Sequence, residues 1–248
     1  MTKKTFRKLI VILVIVIAIV AAVVVMNLDR IVKEAVVYYG PQITKVSMTV
    51  DSVHLGLGTV EIKDLVIGNP DGYKTPQAMS VGDVSVAVNP TTVLSDKIVV
   101  LSIKVKSPDI TFEGGLTGNN LSQILDNVNG TARTNNATVT TPSGKTKPAK
   151  KLEVDDFVIT GAKVHVNLTE LGSKEMTLPL PDIHLSNLGT GPNGITPADL
   201  SSRILGAITS ATVKAVSGEI TNLGGNATNL GKQGVNSVKG AIGNLFKK

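Results

Sequence analysis

A mainly β (α+β) fold is expected from this chain of 248 residues: an N-terminal transmembrane helix, an antiparallel hairpin sheet of amphipathic strands, and a C-terminal helix covering or flanking the sheet. Three observations predict it. Leu9 to Met26 is an unbroken apolar run. Apolar and polar residues then alternate with a period of two from about residue 44 to residue 112 and again from residue 152 to about residue 188. Helical three-and-four spacing flanks that region on both sides.

Composition narrows the function before any motif is considered. The chain has no Cys, so disulfides, thiolate zinc sites and cysteine nucleophiles are excluded, and an oxidising compartment is compatible with it. The formal charge is +6, but Lys3, Lys4, Arg7 and Lys8 supply most of it, and the rest of the chain is near neutral. Nucleic-acid binding needs a concentrated basic face, so it is set aside.

The basic tail of residues 1–8 leads into the span of residues 9–28, anchored by Leu9, Val16 and Met26. At about 1.5 Å per residue the apolar run covers about 27 Å, close to the hydrocarbon thickness of a bilayer. A cleavable signal peptide is the competing reading. Its passable cleavage site, Val20-Ala21-Ala22, lies inside the apolar run instead of after it, which favours an uncleaved anchor. Cations precede the span, which places the N-terminus in the cytoplasm and the bulk of the chain across the membrane.

Residues 29–40 form the expected juxtamembrane helix, with Leu28, Ile31, Val32, Ala35, Val36 and Tyr39 on one stripe and Gly40-Pro41 as its stop. Residues 44–126 are the first part of a β-hairpin domain, punctuated by turns at Asn69-Pro70-Asp71-Gly72 and Asn89-Pro90. Residues 127–150 are polar, small and aperiodic, and are expected to be a flexible loop. Residues 151–190 resume the strand pattern. Residues 196–217 read as an amphipathic helix with Pro197 in its first turn, and residues 218–248 as a Gly/Asn-rich tail.

A thirteen-residue repeat carries more information than any single motif. Residues 50–62, 100–112 and 154–166 align without gaps, with apolar residues at positions 1, 4, 6, 11 and 13. These are Val50, Val53, Leu55, Val60 and Ile62; Val100, Ile103, Val105, Ile110 and Phe112; and Val154, Phe157, Ile159, Val164 and Val166. Gly, Ser or Pro falls between positions 6 and 11 of each copy, which predicts strand, tight turn, strand. As hairpins, the copies would lie side by side in one sheet with all their apolar side chains on one face.

Catalytic constellations are missing. His54, His165 and His184 lack metal-ligand spacing and read as solvated strand residues. Asp155 and Asp156 are adjacent on a strand and point to opposite faces. Gly56-Leu57-Gly58 lacks the third glycine of a dinucleotide loop. No cofactor is expected, and an enzyme is not.

The segment from Val50 to Leu125 resembles the N-terminal portion of bacterial AsmA-like envelope proteins. The resemblance rests on the turn Asn69 to Tyr73, the stretch Leu94 to Lys97 and the strand Asp109 to Glu113, behind a basic N-terminus and one span. It implies inner-membrane anchoring, a periplasmic β-domain and apolar grooves that handle phospholipid. A second resemblance is to the water-stress β-sandwich domains of late-embryogenesis proteins, which implies a stress-protective role. Two functions from different classes follow. In the first, Val53, Leu55, Val60, Ile62, Ile103, Val105, Ile110, Phe112, Phe157, Ile159, Val164 and Val166 face lipid, or the domain supports envelope assembly. In the second, the chain is a non-enzymatic scaffold that engages an envelope protein partner. Membrane lipids are the expected partner of the first. The alternative for its apolar residues is an ordinary core closed by the helix from Leu200 to Val216.

Overall fold

The alternating segments become strands, and the structure, a computed structural model, describes residues 28–134, 138–140, 144, 146–168 and 175–223. The basic tail, the anchor residues Leu9, Val16 and Met26, and the tail from residue 224 lie outside these residues. Among the described residues no helix is long and apolar enough to cross a membrane.

Ten strands form one sheet: β1 (Met48–Thr49), β2 (Ser52–Leu55), β3 (Thr59–Gly68), β4 (Gln77–Val88), β5 (Lys97–Lys106), β6 (Asp109–Gly114), β9 (Lys151–Thr160), β10 (Lys163–Leu168), β11 (Glu175–Pro179) and β12 (Ile183–Leu188). A separate two-stranded ribbon, β7 (Thr138–Thr140) with β8 (Thr146–Pro148), precedes β9. Strand β4 joins two arms. Its first half pairs with β6 through Met79 and Ser80, and its second half with β5 from Asp83 to Val88. One arm continues through β9 to β12, and the other through β10 to β11.

The repeat is real, but only its first copy is a hairpin. There Leu55 pairs with Val60 and Val53 with Ile62, and the Gly56 N–H donates to the Thr59 carbonyl at 2.8 Å. The expectation of hairpins in the other two copies is corrected: β5 does not pair with β6, nor β9 with β10. Instead copy two stacks in parallel on copy three, position for position. Val100 pairs with Val154, Ile103 with Phe157, Val105 with Ile159, Ile110 with Val164 and Phe112 with Val166.

The corners show why. Ser107 (φ 46°) and Gly161 (φ 65°) occupy the same repeat position and both adopt the left-handed conformation. Pro108 has no N–H with which to close a hairpin. The corner backbones bond to each other instead: the Ser107 N–H donates to the Thr160 carbonyl at 2.7 Å, and the Lys163 N–H to the Pro108 carbonyl at 3.0 Å. The line of corners extends on both sides. Asp64 in β3 has φ 49°. Between β11 and β12, Leu180 donates to the Ala162 carbonyl at 2.9 Å, and Asp182 accepts from the Gly161 N–H at 3.3 Å.

Among the described residues three α-helices complete the fold. Helix α1 spans residues 28–44 and runs past the predicted stop at Gly40-Pro41, ending one turn later at the left-handed Lys45 (φ 59°). Its stripe is only half-buried, and Ile31 points outward at 51% exposure. Helix α2 (Asn120–Thr134) replaces the end of the expected β-hairpin segment and the first third of the expected flexible loop. Its N-terminus is capped by Asn119, which accepts from the Ser122 N–H at 2.9 Å while the Ser122 hydroxyl accepts from the Asn119 N–H at 3.1 Å.

The polar residues that made α2 look like a loop hold tertiary structure. Asn127 and Thr131 donate to the carbonyls of Thr44 and Ile43, at the C-terminal end of α1 that would otherwise be unsatisfied. Ser202 donates to Asn129 at 2.5 Å, tying α2 to α3 (Pro197–Leu223). Helix α3 extends six residues beyond the predicted end at residue 217. It opens on a Thr196 cap, whose hydroxyl accepts from the Asp199 N–H at 3.0 Å and donates to the Asp199 carboxylate at 2.6 Å.

Both helices pack on the inner face of the sheet. Leu121 and Ile124 of α2 and Ile208, Val213 and Val216 of α3 join apolar residues of the second and third copies in one core.

A side chain at residue 161 would strain both the left-handed backbone and the stacked corner, because a Cβ there lies 3.0 Å from the Ser107 hydroxyl. Gly161→Val is expected to lower unfolding free energy by about 2 kcal/mol, read by urea denaturation. An unchanged midpoint would mean that the corner carries no such constraint.

Candidate functional site

The twelve side chains expected to face lipid divide into two groups. Val53, Val105, Ile110, Phe112, Phe157, Ile159, Val164 and Val166 are buried, most of them beneath α2 and α3. Seven of them share one core with α2 and α3 instead of forming an open lipid-facing surface, and Val53 is buried outside that core. The apolar pattern is the same for either role, since it records only which face avoids water.

Leu55, Val60, Ile62 and Ile103 remain half-exposed. Three of them fall in one cross-strand row. Leu55 pairs with Val60, Val60 with Val86, Val86 with Ile103, Ile103 with Phe157, and Phe157 with Leu185. Along this row, exposure rises from the buried Phe157 to the half-exposed Ile103, Val86, Val60 and Leu55. The adjacent row, Ile62, Val84, Val105 and Ile159, lies on the same face nearer the corner and is buried apart from Ile62. The partly exposed aliphatic residues therefore form a strip of the inner face across β2, β3, β4 and β5, bordering the core. Sequence reasoning missed Val86 because β4 is not a copy of the repeat, although its alternation with Val84 and Val88 marks the face.

The outward edge of β2 is not left bare. The Leu55 N–H, which points away from β3, donates to the Asp29 carboxylate of α1 at 3.0 Å, and Lys33 donates to the Asp51 carbonyl. Helix α1 thus runs along this edge and shields it from further strand pairing.

At the opposite end of β3 a polar clamp brings together two of the sequence motifs. Glu113, 7% exposed, accepts from the Lys74 N–H at 2.6 Å, the Thr75 N–H at 2.8 Å and the Thr75 hydroxyl at 2.5 Å. Asn120, fully buried, donates to Asn69 and to the Thr111 carbonyl at 2.8 Å each, and accepts from the Glu113 N–H at 3.0 Å. Asn69 in turn donates to the Thr75 carbonyl at 2.9 Å. The clamp fixes loop 69–76 onto the start of α2.

Burial pushes the Glu113 carboxyl up. The hydrogen bonds from Thr75 and from the Lys74 and Thr75 backbone, with the Lys74 charge, outweigh burial and hold it below the ordinary glutamate value. Burial and the Glu113 charge raise the Tyr73 phenol beside it.

His165 and His184 sit on the outer face, each beside a single carboxylate, and His54 is exposed on β2. His165 lies 3.2 Å from Asp109 and 3.1 Å from the Thr177 hydroxyl, and His184 pairs with Asp156. Among the described residues no cluster of three His, Asp or Glu side chains could hold a metal ion.

The geometry defines a strand-repeat domain: one bent sheet folded along a line of stacked corners, two helices on its apolar face and a third along its edge. The chain belongs to the AsmA family, whose family model matches residues 1–187. It is accordingly an envelope-associated protein. No curated protein and no solved structure matches it.

Glu113→Gln removes a charged acceptor from three donors and is expected to cost about 2 kcal/mol in urea unfolding. The pH dependence is specific to the lowered carboxyl. Its stabilisation is fully present above the unfolded glutamate value of about 4.3, and is lost as pH falls through the lower folded value. The variant should therefore show a shallower loss of stability below about pH 4 than the native chain. Parallel acid limbs for the two proteins would rule the clamp out as an acid-sensitive contact.

Proposed function

We propose that the chain is a single-pass protein of the inner membrane, N-terminus in the cytoplasm and bulk in the periplasm, whose β-domain binds lipid acyl chains without catalysis. The anchor is the apolar run carrying Leu9, Val16 and Met26. The reading is supported above all by the partly exposed row Leu55, Val60, Val86 and Ile103, which continues the core outward as an aliphatic strip. Its side chains are branched hydrocarbons. They supply van der Waals contact and apolar burial without hydrogen-bond donors, which suits an acyl chain more than a headgroup. Membrane lipid is the proposed ligand, and no nucleic-acid role is proposed.

The test uses a photoreactive amino acid in the full chain in native membranes, followed by mass spectrometry of the adducts. Lipid adducts are expected from Val86 and Ile103, and not from Lys104, an exposed neighbour of Ile103 on the opposite face. Val86→Asp, which places a charge in the strip, is expected to reduce the Ile103 adducts about tenfold or more. Adducts at Lys104 as frequent as at Ile103, or none at either strip position, would overturn the acyl-chain reading.

A further inference from the structure

The strip ends at two loops whose composition the lipid-binding row does not explain. Leu57, between Gly56 and Gly58 at the β2–β3 tip, is 104% exposed, and Leu94, in the β4–β5 loop, is 94% exposed. Val93 beside it is 44% exposed. The two loops are neighbours. The Val88 N–H donates to the Gly58 carbonyl at 2.8 Å, and a Cβ at Gly58 would come within 3.1 Å of the Pro90 ring. Large aliphatic side chains this exposed on adjacent tips gain nothing from the fold of the chain.

The direction of the chain says what covers them. The described chain begins at residue 28, where the apolar run of residues 9–28 ends. Asp29 accepts from the Leu55 N–H at 3.0 Å, so the described part of α1 starts beside the β2–β3 tip. From there α1 runs away from the tips: Lys33 reaches the Asp51 carbonyl, and Gly40 packs against Met48. Leu57 follows Leu55 by two residues, about 7 Å of extended chain. A span that leaves the bilayer at residue 28 therefore delivers both tips to the lipid surface. Lys150, exposed, donates to the carbonyls of Val93 at 2.8 Å and Ser95 at 3.0 Å, which sets an ammonium beside Leu94 at phosphate level. Asp96 on the same loop offsets part of that charge, so apolar insertion carries the contact more than electrostatics does.

We infer that this end of the domain seats on the periplasmic leaflet, with Leu57 and Leu94 inserted among the lipids and the row from Leu55 to Ile103 opening onto them. The inference rests on the anchor proposed above.

The absence of native cysteine permits single-site labelling of the full chain. Leu57→Cys, Leu94→Cys and, at the opposite end of β3, Asp71→Cys would each carry an environment-sensitive fluorophore. The labelled chains would be placed in nanodiscs of phosphatidylethanolamine and phosphatidylglycerol. Doxyl-labelled lipid is expected to quench the labels at 57 and 94, and iodide to quench them about threefold or more weakly than the label at 71. A chain that elutes with nanodiscs but whose labels at 57 and 94 respond to iodide as the label at 71 does would overturn the docking and leave the anchor standing. A chain that does not elute with nanodiscs at all would remove the anchor and the docking together.

Discussion

The fold depends on the parallel pairing of the second and third copies of the thirteen-residue unit across a shared corner. Because Ser107 and Gly161 turn at the same step, every apolar position of one copy meets its counterpart in the next. Both arms of the sheet are thereby held in one register. A slip by one residue on either arm would turn alternate side chains outward and expose Ile110, Phe112, Val164 and Val166 to water. The corner bonds at Ser107, Pro108, Thr160 and Lys163 make that slip costly, since each would leave a strand-end amide or carbonyl unpaired.

From this register the rest follows. The two arms present one apolar face, α2 and α3 fill it, and α3 leans towards β12, where Leu188 and Ile183 are buried. Cover thins away from α3, so the strands nearest α1 keep half-exposed valines and isoleucine. The clamp of Glu113, Asn120, Asn69 and Thr75 acts at the other end. It locks loop 69–76 to α2 with charge-assisted bonds and leaves the strip and the clamp separated by the length of β3.

Much of this was legible in the sequence. Period-two alternation located the strands, and the three aligned segments located the structural unit. The connectivity inside the unit was not. A four-residue gap suits a hairpin or a corner equally, and the choice depends on whether the turn backbone bonds to itself, as at Gly56 and Thr59, or to a neighbouring unit, as at Ser107 and Thr160. The odd step from position 1 to position 4 was a further clue, since strict alternation requires even steps. It corresponds to the bulge at Ala87/Val88, where Val100 pairs with Val88 and Ile103 with Val86. Helix α2 was hidden because Asn127, Asn129 and Thr131 have poor helix propensity and act through distant partners. The eight buried candidates could not be told from the four half-exposed ones, because burial of a sheet face depends on helices elsewhere in the chain.

The corner has a consequence for how such a domain can change size. Copies two and three meet as a lattice row meets its neighbour: the donors and acceptors that one presents are those the other receives. A duplicated strand–corner–strand segment slotted between them would find matching partners on both flanks. Each such addition would widen the sheet by about 4.8 Å and would bring its own crossover connection, as α2 and the ribbon connect β6 to β9, because parallel strands cannot be joined by a tight turn. The width of the greasy face is thus set by how many times the segment is copied.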